Sequence, residues 1–150
     1  MKSRFFNSLR LLALLQLLLF ASVMARTPPN VLIVGQIAEP KSLDPQTVTA
    51  VNDFRILMNL YDGLVRYRDG SLEVEPALAT EWTISEDGTV YTFTLADGPT
   101  FSNGDPVTAG DVVFSFNRLK NIAGNPSFLA DTIASVEAPE DKTVVLTLTQ

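Results

Sequence analysis

The spacing of apolar residues changes several times along the chain, and each spacing predicts a different element. Residues 31–37 form a short apolar run with several β-branched side chains, which is typical of a buried strand. From Asn52 to Gly63 apolar positions recur every three or four residues, which predicts a helix with one apolar face. Asn52 is suited to begin this helix and Gly63 to end it. The apolar positions are Phe54, Leu57, Met58, Tyr61 and Val65.

Alternation with a period of two residues predicts strands over much of the remaining chain. Residues 64–67 form the first short example. Residues 82–84 and 90–95 flank a loop that contains Gly88, and this arrangement is typical of a β-hairpin. In the second strand of the hairpin one face carries Tyr91, Phe93 and Leu95.

A second amphipathic helix is predicted to begin after Thr108. Asp111 follows three residues later, where a carboxylate completes a capping box and faces the positive end of the helix dipole. Two strands follow at 133–138 and 143–149. The sequence stops at Gln150 without a turn signal, so we interpret the chain as the front part of a longer protein. These elements together indicate an α+β or α/β fold. The apolar stripe of the helix consists of Ala109, Val112, Val113, Phe116 and Leu119.

Residues 1–25 have the organisation of a secretory signal peptide. Three basic residues precede an apolar run at 11–20, and Ala25 follows at a V-x-A site. A transmembrane anchor would need roughly 20 apolar residues, which is longer than this run. We therefore expect cleavage after Ala25 and a periplasmic or otherwise extracytoplasmic protein.

Composition excludes several kinds of chemistry within these residues. The chain has no His and no Cys, which excludes His or Cys zinc ligands, disulfides, a Ser-His-Asp triad and a Cys nucleophile. A formal net charge of −6 argues against a nucleic-acid partner, because phosphates are bound by clustered Lys and Arg. Glu86 and Asp87 adjoin, but their place in the hairpin loop indicates a solvated turn. The residues alone therefore predict no catalytic group, no metal and no cofactor.

The order of several short motifs resembles the start of a family 5 extracytoplasmic solute-binding protein. This is the dipeptide, oligopeptide and nickel-binding family of ABC importers. Each motif alone is weak, and the resemblance depends on their shared order and spacing over about residues 31–150. The motifs are Ser42-Leu43-Asp44-Pro45, the segments 60–65 and 76–82, Ser85-Glu86-Asp87-Gly88, and the segments 91–95 and 101–109.

The resemblance implies a two-lobed protein with a type II periplasmic-binding-protein-like fold, of which this chain is the N-terminal part. Residues 26–61 would then be the first segment of ligand-binding lobe I. Residues 62–150 would be an accessory subdomain of the same lobe, incomplete in this sequence. The two lobes of such proteins close on their ligand like a hinge.

The same resemblance implies where a ligand binds. The segment from Thr47 to Asp53 matches the region where peptide-binding members lay the ligand backbone against the protein backbone. Phe128 matches a region that approaches the ligand in some members, and it is equally well interpreted as an ordinary buried Phe. The expected substrate-binding residues are Thr49, Ala50, Val51, Asn52, Asp53 and Phe128.

Two functions remain open at this point. The first is a binding protein that captures a peptide-like or other small solute and delivers it to the permease subunits of an ABC transporter. Its contact with the membrane would then run only through the permease. The second is an exported enzyme whose catalytic residues lie beyond residue 150. The sequence leaves the ligand open among dipeptides, oligopeptides, nickel chelates, sugars and other solutes.

Overall fold

The computed structural model describes residues 27–122 and 125–149. The chain divides into two compact units, with the division after Gln36. The described part of the first unit is irregular and exposed, and its Val31 N–H donates a hydrogen bond to the Pro28 carbonyl. The predicted signal peptide lies outside the described residues. No helix among the described residues is long and apolar enough to span a membrane.

The strand predicted at 31–37 is wrong, since these residues form no strand in the structure. A strand is stabilised by pairing its backbone groups with a neighbouring strand and by burying one face. Residues 31–37 have neither support, and Leu32 and Ile37 are among their exposed apolar side chains. The apolar pattern alone therefore did not decide the conformation of this segment.

The second unit is built around two antiparallel sheets. Strands β1 (Val65–Tyr67) and β2 (Val74–Pro76) form a two-stranded ribbon. The larger sheet has the order β3-β4-β6-β5. Its members are β3 (Ala79–Ile84), β4 (Val90–Leu95), β5 (Ile133–Glu140) and β6 (Thr143–Leu148).

The predicted hairpin is confirmed as the pairing of β3 with β4. Trp82 pairs with Phe93 in this hairpin, and Phe93 pairs on its other side with Val144 of β6. Gly88 has a φ of 73°, a conformation that glycine adopts without the steric cost of a Cβ. The carboxylate of Asp87 accepts hydrogen bonds from the Ser85 and Thr89 side chains, so it belongs to a solvated turn as predicted.

The first helix, α1 (Val51–Leu57), is shorter than predicted. It begins after Ala50 rather than at Asn52, it continues as turns beyond Leu57, and Val65 belongs to β1. Helices in proteins are stabilised mainly by burying an apolar face. Met58 and Tyr61 are 78% and 53% exposed, so extending the helix past Leu57 would gain little burial.

The second helix, α2 (Ala109–Asn121), confirms the predicted start and stripe. Thr108 caps it, and the Asp111 carboxylate accepts hydrogen bonds from the Thr108 N–H and hydroxyl at 2.8 and 2.7 Å. These bonds hold the pKa of Asp111 below its usual value. The stripe packs on the sheet together with the 3-10 helix Asn125–Ala130. The buried core consists of Ala79, Phe93, Leu95, Ala109, Val112, Ala130, Ile133, Val136 and Val144.

Candidate functional site

A cavity of about 320 Å³ lies beside the beginning of α1. Its wall combines hydroxyl groups, backbone groups and one carboxylate, with few apolar side chains. A small pocket with polar groups of this kind can fix the orientation of a bound solute. The lining residues are Lys41, Ser42, Thr47, Val48, Thr49, Ala50 and Asp53.

Asp53 is the buried polar residue of this cavity, with 1% of its surface exposed. Its Oδ1 accepts a hydrogen bond from the Lys41 backbone N–H at 2.8 Å, which joins the loop before Pro45 to α1. Its Oδ2 has no hydrogen-bond partner among the described residues. Buried polar atoms almost always have a partner, because an unpaired one costs free energy. Within the described part of the chain, Oδ2 of Asp53 is therefore a buried acceptor that lacks a donor.

The backbone beside Asp53 also has free donors. No hydrogen bond within the described part of the chain uses the backbone N–H groups of Thr49 or Ala50. The Ala50 carbonyl is occupied, since it accepts bonds from the N–H groups of Asp53 and Phe54. Ala50 has φ −82° and ψ 142°, so the backbone is extended where it enters α1. An extended segment with free N–H groups can pair with another extended backbone.

Local hydrogen bonds shape the loop that leads into this segment. The Ser42 hydroxyl accepts a bond from the Asp44 N–H at 3.0 Å, and the Asp44 carboxylate accepts one from the Gln46 N–H at 3.0 Å. The Asp44 carbonyl accepts from both the N–H and the hydroxyl of Thr47. Asp and Ser side chains stabilise turns in this way. The Ser-Leu-Asp-Pro sequence thus folds largely on its own polar groups.

Arg118 joins the same loop to α2, the helix that packs on the larger sheet. Its Nη2 and Nη1 donate to the two carboxylate oxygens of Asp44 at 2.5 and 3.1 Å, and Nη1 also donates to Gln46 Oε1 at 2.6 Å. Gln46 Nε2 in turn donates to the Ser115 carbonyl at 2.8 Å. The hydrogen bonds from Arg118 hold the pKa of the Asp44 carboxyl below its usual value. We refer to Arg118, Asp44, Gln46 and Ser115 as the loop clamp.

The structure brings three of the six expected binding residues to the cavity, namely Thr49, Ala50 and Asp53. Val51 and Asn52 follow directly in the first turn of α1 but do not line the cavity. Phe128 lies on the 3-10 helix with its side chain 60% exposed, and it does not line the cavity either.

Sequence reasoning missed Lys41 and Ser42 as cavity residues, whereas Thr47 and Val48 belong to the predicted ligand segment without being named as binding residues. Lys41 and Ser42 lie in a loop between Pro40 and Pro45, and the sequence contained no signal that the loop folds back onto α1. The Lys41 backbone N–H joins the loop to α1 by donating to the Asp53 carboxylate. Every residue except proline has a backbone N–H, so the sequence pattern does not reveal this donor.

A larger groove of about 750 Å³ lies between α2 and the segment that enters β1. Its lining is mainly apolar and includes Tyr61, Leu64, Phe101 and Phe114. Its Asp111 carboxylate is already occupied by Thr108. The described residues contain no group of three or more acidic side chains that could hold a metal ion. The small polar cavity therefore offers the better set of ligand-binding groups.

The chain is similar in sequence to known bacterial binding proteins. Residues 73–150 match the model of the bacterial extracellular solute-binding proteins, family 5 Middle. The chain is 38% identical over 144 residues to the probable D,D-dipeptide-binding periplasmic protein DdpA of Escherichia coli K12, which covers 93% of this chain and 28% of that protein.

Two solved structures extend the comparison. The periplasmic binding protein DppA of Helicobacter pylori, in complex with the peptide STSA, matches with a TM-score of 0.64 and 35% identity, covering 75% of this chain and 26% of that one. NikZ of Campylobacter jejuni, in complex with Ni(L-His), matches with a TM-score of 0.65 and 29% identity, covering 74% of this chain and 22% of that one. The chain thus spans about a quarter of the length of these relatives.

Proposed function

Because the chain belongs to the family 5 bacterial extracellular solute-binding proteins, we propose that it supplies part of the solute-binding site of an ABC importer. Its α+β fold is part of the type II periplasmic-binding-protein fold, in agreement with the expected fold class. The ligand is a peptide or another small solute that carries backbone-like donors and acceptors. The relatives named above are binding proteins, so they give no support to the alternative of an exported enzyme.

One observation carries this proposal. The segment that the family resemblance assigns to the ligand coincides with the polar cavity at the beginning of α1. In that segment the N–H groups of Thr49 and Ala50 and one carboxylate oxygen of Asp53 have no hydrogen-bond partner among the described residues. A peptide backbone carries both N–H donors and carbonyl acceptors, which complement these groups. Val51, Asn52 and Phe128 remain proposed contacts outside the cavity.

We expect Ala50→Pro in the full-length protein to weaken the binding of trialanine about 5- to 150-fold, because one hydrogen bond of roughly 1–3 kcal/mol is lost. Proline removes the N–H group. Its preferred φ of about −65° is close to the −82° of Ala50, so the backbone can keep its course. Isothermal calorimetry with trialanine and with dialanine measures the effect.

Two control variants separate the backbone from the side chain. Ala50→Gly keeps the N–H and removes only the methyl group, and Thr49→Ala removes a hydroxyl while it keeps both backbone groups. Both should bind within a few-fold of the parent. Ala50→Pro could instead keep the melting temperature and the affinity of the parent while Thr49→Ala loses affinity. That result would contradict backbone pairing at Ala50 and would indicate recognition through the Thr49 side chain.

The cellular setting and the domain limits form part of the same proposal. Residues 1–25 direct export and are cleaved after Ala25, residues 26–61 begin lobe I, and residues 62–150 form an accessory subdomain. The family description supports an extracytoplasmic location, and the permease subunits of the importer are the proposed partners. N-terminal sequencing of the exported protein should begin at Arg26, and a product that retains Met1 would contradict the cleavage.

A further inference from the structure

We propose that Arg118 is a positioning residue for the ligand-binding segment, although it lies on α2 and does not line the cavity. The loop clamp fixes the course of residues 44–47, and residues 47–50 then form one wall of the cavity. This inference rests on the proposed function, because it assigns Arg118 a role in the binding of a solute there.

The bonds form a continuous path from α2 to the cavity. Arg118 holds the two carboxylate oxygens of Asp44, and the carbonyl of the same Asp44 holds the N–H and the hydroxyl of Thr47. Thr47 is the first cavity residue of this segment. Asp44 therefore connects α2 with the cavity wall, although Asp44 and Arg118 are 74 positions apart in the sequence.

The shape of the guanidinium group explains why the clamp needs arginine. Nη1 and Nη2 of Arg118 meet the Asp44 carboxylate side by side, and Nη1, the one farther from it, also donates to Gln46 Oε1. A lysine ammonium can supply the charge but not this paired geometry. Gln46 closes the arrangement, because its amide nitrogen donates to both the carbonyl and the hydroxyl of Ser115.

The segment has one buried apolar anchor of its own, because Val48 is 5% exposed. Ser42 and Asp44 bond within the loop itself, and Asp53 bonds to Lys41 of the same loop. In α1 the residues buried from solvent are Asp53 and Leu57. Without the clamp, the loop and α1 would keep their internal bonds but lose the side-chain bonds that tie Asp44 and Gln46 to α2.

The test uses the full-length protein with Arg118→Met, Arg118→Lys, Asp44→Asn and the double variant Asp44→Asn/Arg118→Met. Arg66→Met is the matched control, because Arg66 also pairs with a carboxylate, that of Glu75, but does so on β1 and outside the loop. Calorimetry measures trialanine affinity. Amide hydrogen exchange, measured without ligand, compares the hydrogen-bonded N–H groups of Asp44, Gln46 and Thr47 with strands β4 and β6.

We expect Arg118→Met to weaken trialanine binding about tenfold, as for a segment that holds its binding geometry about one tenth of the time. Exchange should become faster at Asp44, Gln46 and Thr47 and stay unchanged in β4 and β6. The trialanine affinity and the exchange rates of Arg118→Lys should lie between those of Arg118→Met and those of the parent. The double variant should bind no more weakly than Arg118→Met, because both substitutions break the same contact. Arg66→Met should match the parent in both measurements.

Unchanged exchange at Asp44, Gln46 and Thr47 in Arg118→Met would overturn the proposal. Faster exchange throughout β4 and β6 as well would also overturn it, because Arg118 would then support the whole unit. A parent that binds neither peptides nor nickel–histidine would contradict the proposed peptide-like ligand, and the exchange data would still show whether Arg118 orders the segment.

Discussion

Phe93→Ala is expected to lower the free energy of unfolding by about 3–5 kcal/mol, the range for a large aromatic side chain removed from a core. Phe93 is 9% exposed and lies on β4, between its register partners Trp82 and Val144. Its ring centroid lies 6.5 Å from those of Trp82 and Tyr91. Alanine would leave a void where the face of the sheet meets α2, and the rigid neighbouring rings can fill it only in part.

Urea unfolding of the full-length protein, followed by circular dichroism, measures this loss. Thr94→Ala is the matched control, because Thr94 is the next residue of β4 and its side chain lies on the exposed side. It should cost less than about 1 kcal/mol, as is usual for a change of strand propensity at the surface. If the two variants unfold at similar urea concentrations, Phe93 is not at the centre of the core.

Local signals predicted the elements that depend on neighbouring residues. The hairpin of β3 and β4 needs alternating apolar residues and a loop that Gly88 can complete, and both are visible in the sequence. The beginning of α2 needs Thr108 and Asp111 three residues apart, and the structure shows the bonds that this spacing predicts. In these places pattern, propensity and packing all favour the same structure.

Elements that depend on distant partners were not predicted. The apolar spacing of α1 continues past Leu57, but Met58 and Tyr61 are exposed, so the periodicity overestimates the helix. The apolar run at 31–37 likewise lacks strand pairing in the structure. Periodicity records which residues can share a face and contains no information about what covers that face.

The loop clamp shows the same limit at the candidate site. Each partner suits its own local position: Arg118 lies in the last turn of α2, where a cation complements the helix dipole, and Asp44 lies in a turn. Their pairing was not predictable, because a contact between residues 74 positions apart follows no period. The cavity segment itself came from family resemblance, and its free donors and acceptor became visible only in the structure.

Asp53→Asn is expected to weaken trialanine binding about 10- to 150-fold, because a hydrogen bond to a charged group contributes about 1.5–3 kcal/mol. The two carboxylate oxygens of Asp53 have different roles. Oδ1 is bonded to the Lys41 N–H, and Oδ2 has no partner within the described part of the chain. Asparagine can keep the first bond through its carbonyl. It presents an NH₂ donor in place of the free acceptor, so a donor group of the ligand would meet another donor.

Two measurements separate this role from a structural one. The melting temperature of the ligand-free variant should equal or exceed that of the parent, since asparagine keeps the Lys41 bond and replaces a buried carboxylate by a neutral amide. Asp53→Ala should melt lower, because it also leaves the Lys41 N–H without its acceptor. N-acetyl-trialanine tests whether the donor is the terminal ammonium: the parent should then bind this peptide weakly, and Asp53→Asn should change its affinity little. If Asp53→Asn binds trialanine like the parent and melts lower, the partner of Oδ2 is a group of the protein rather than of the ligand.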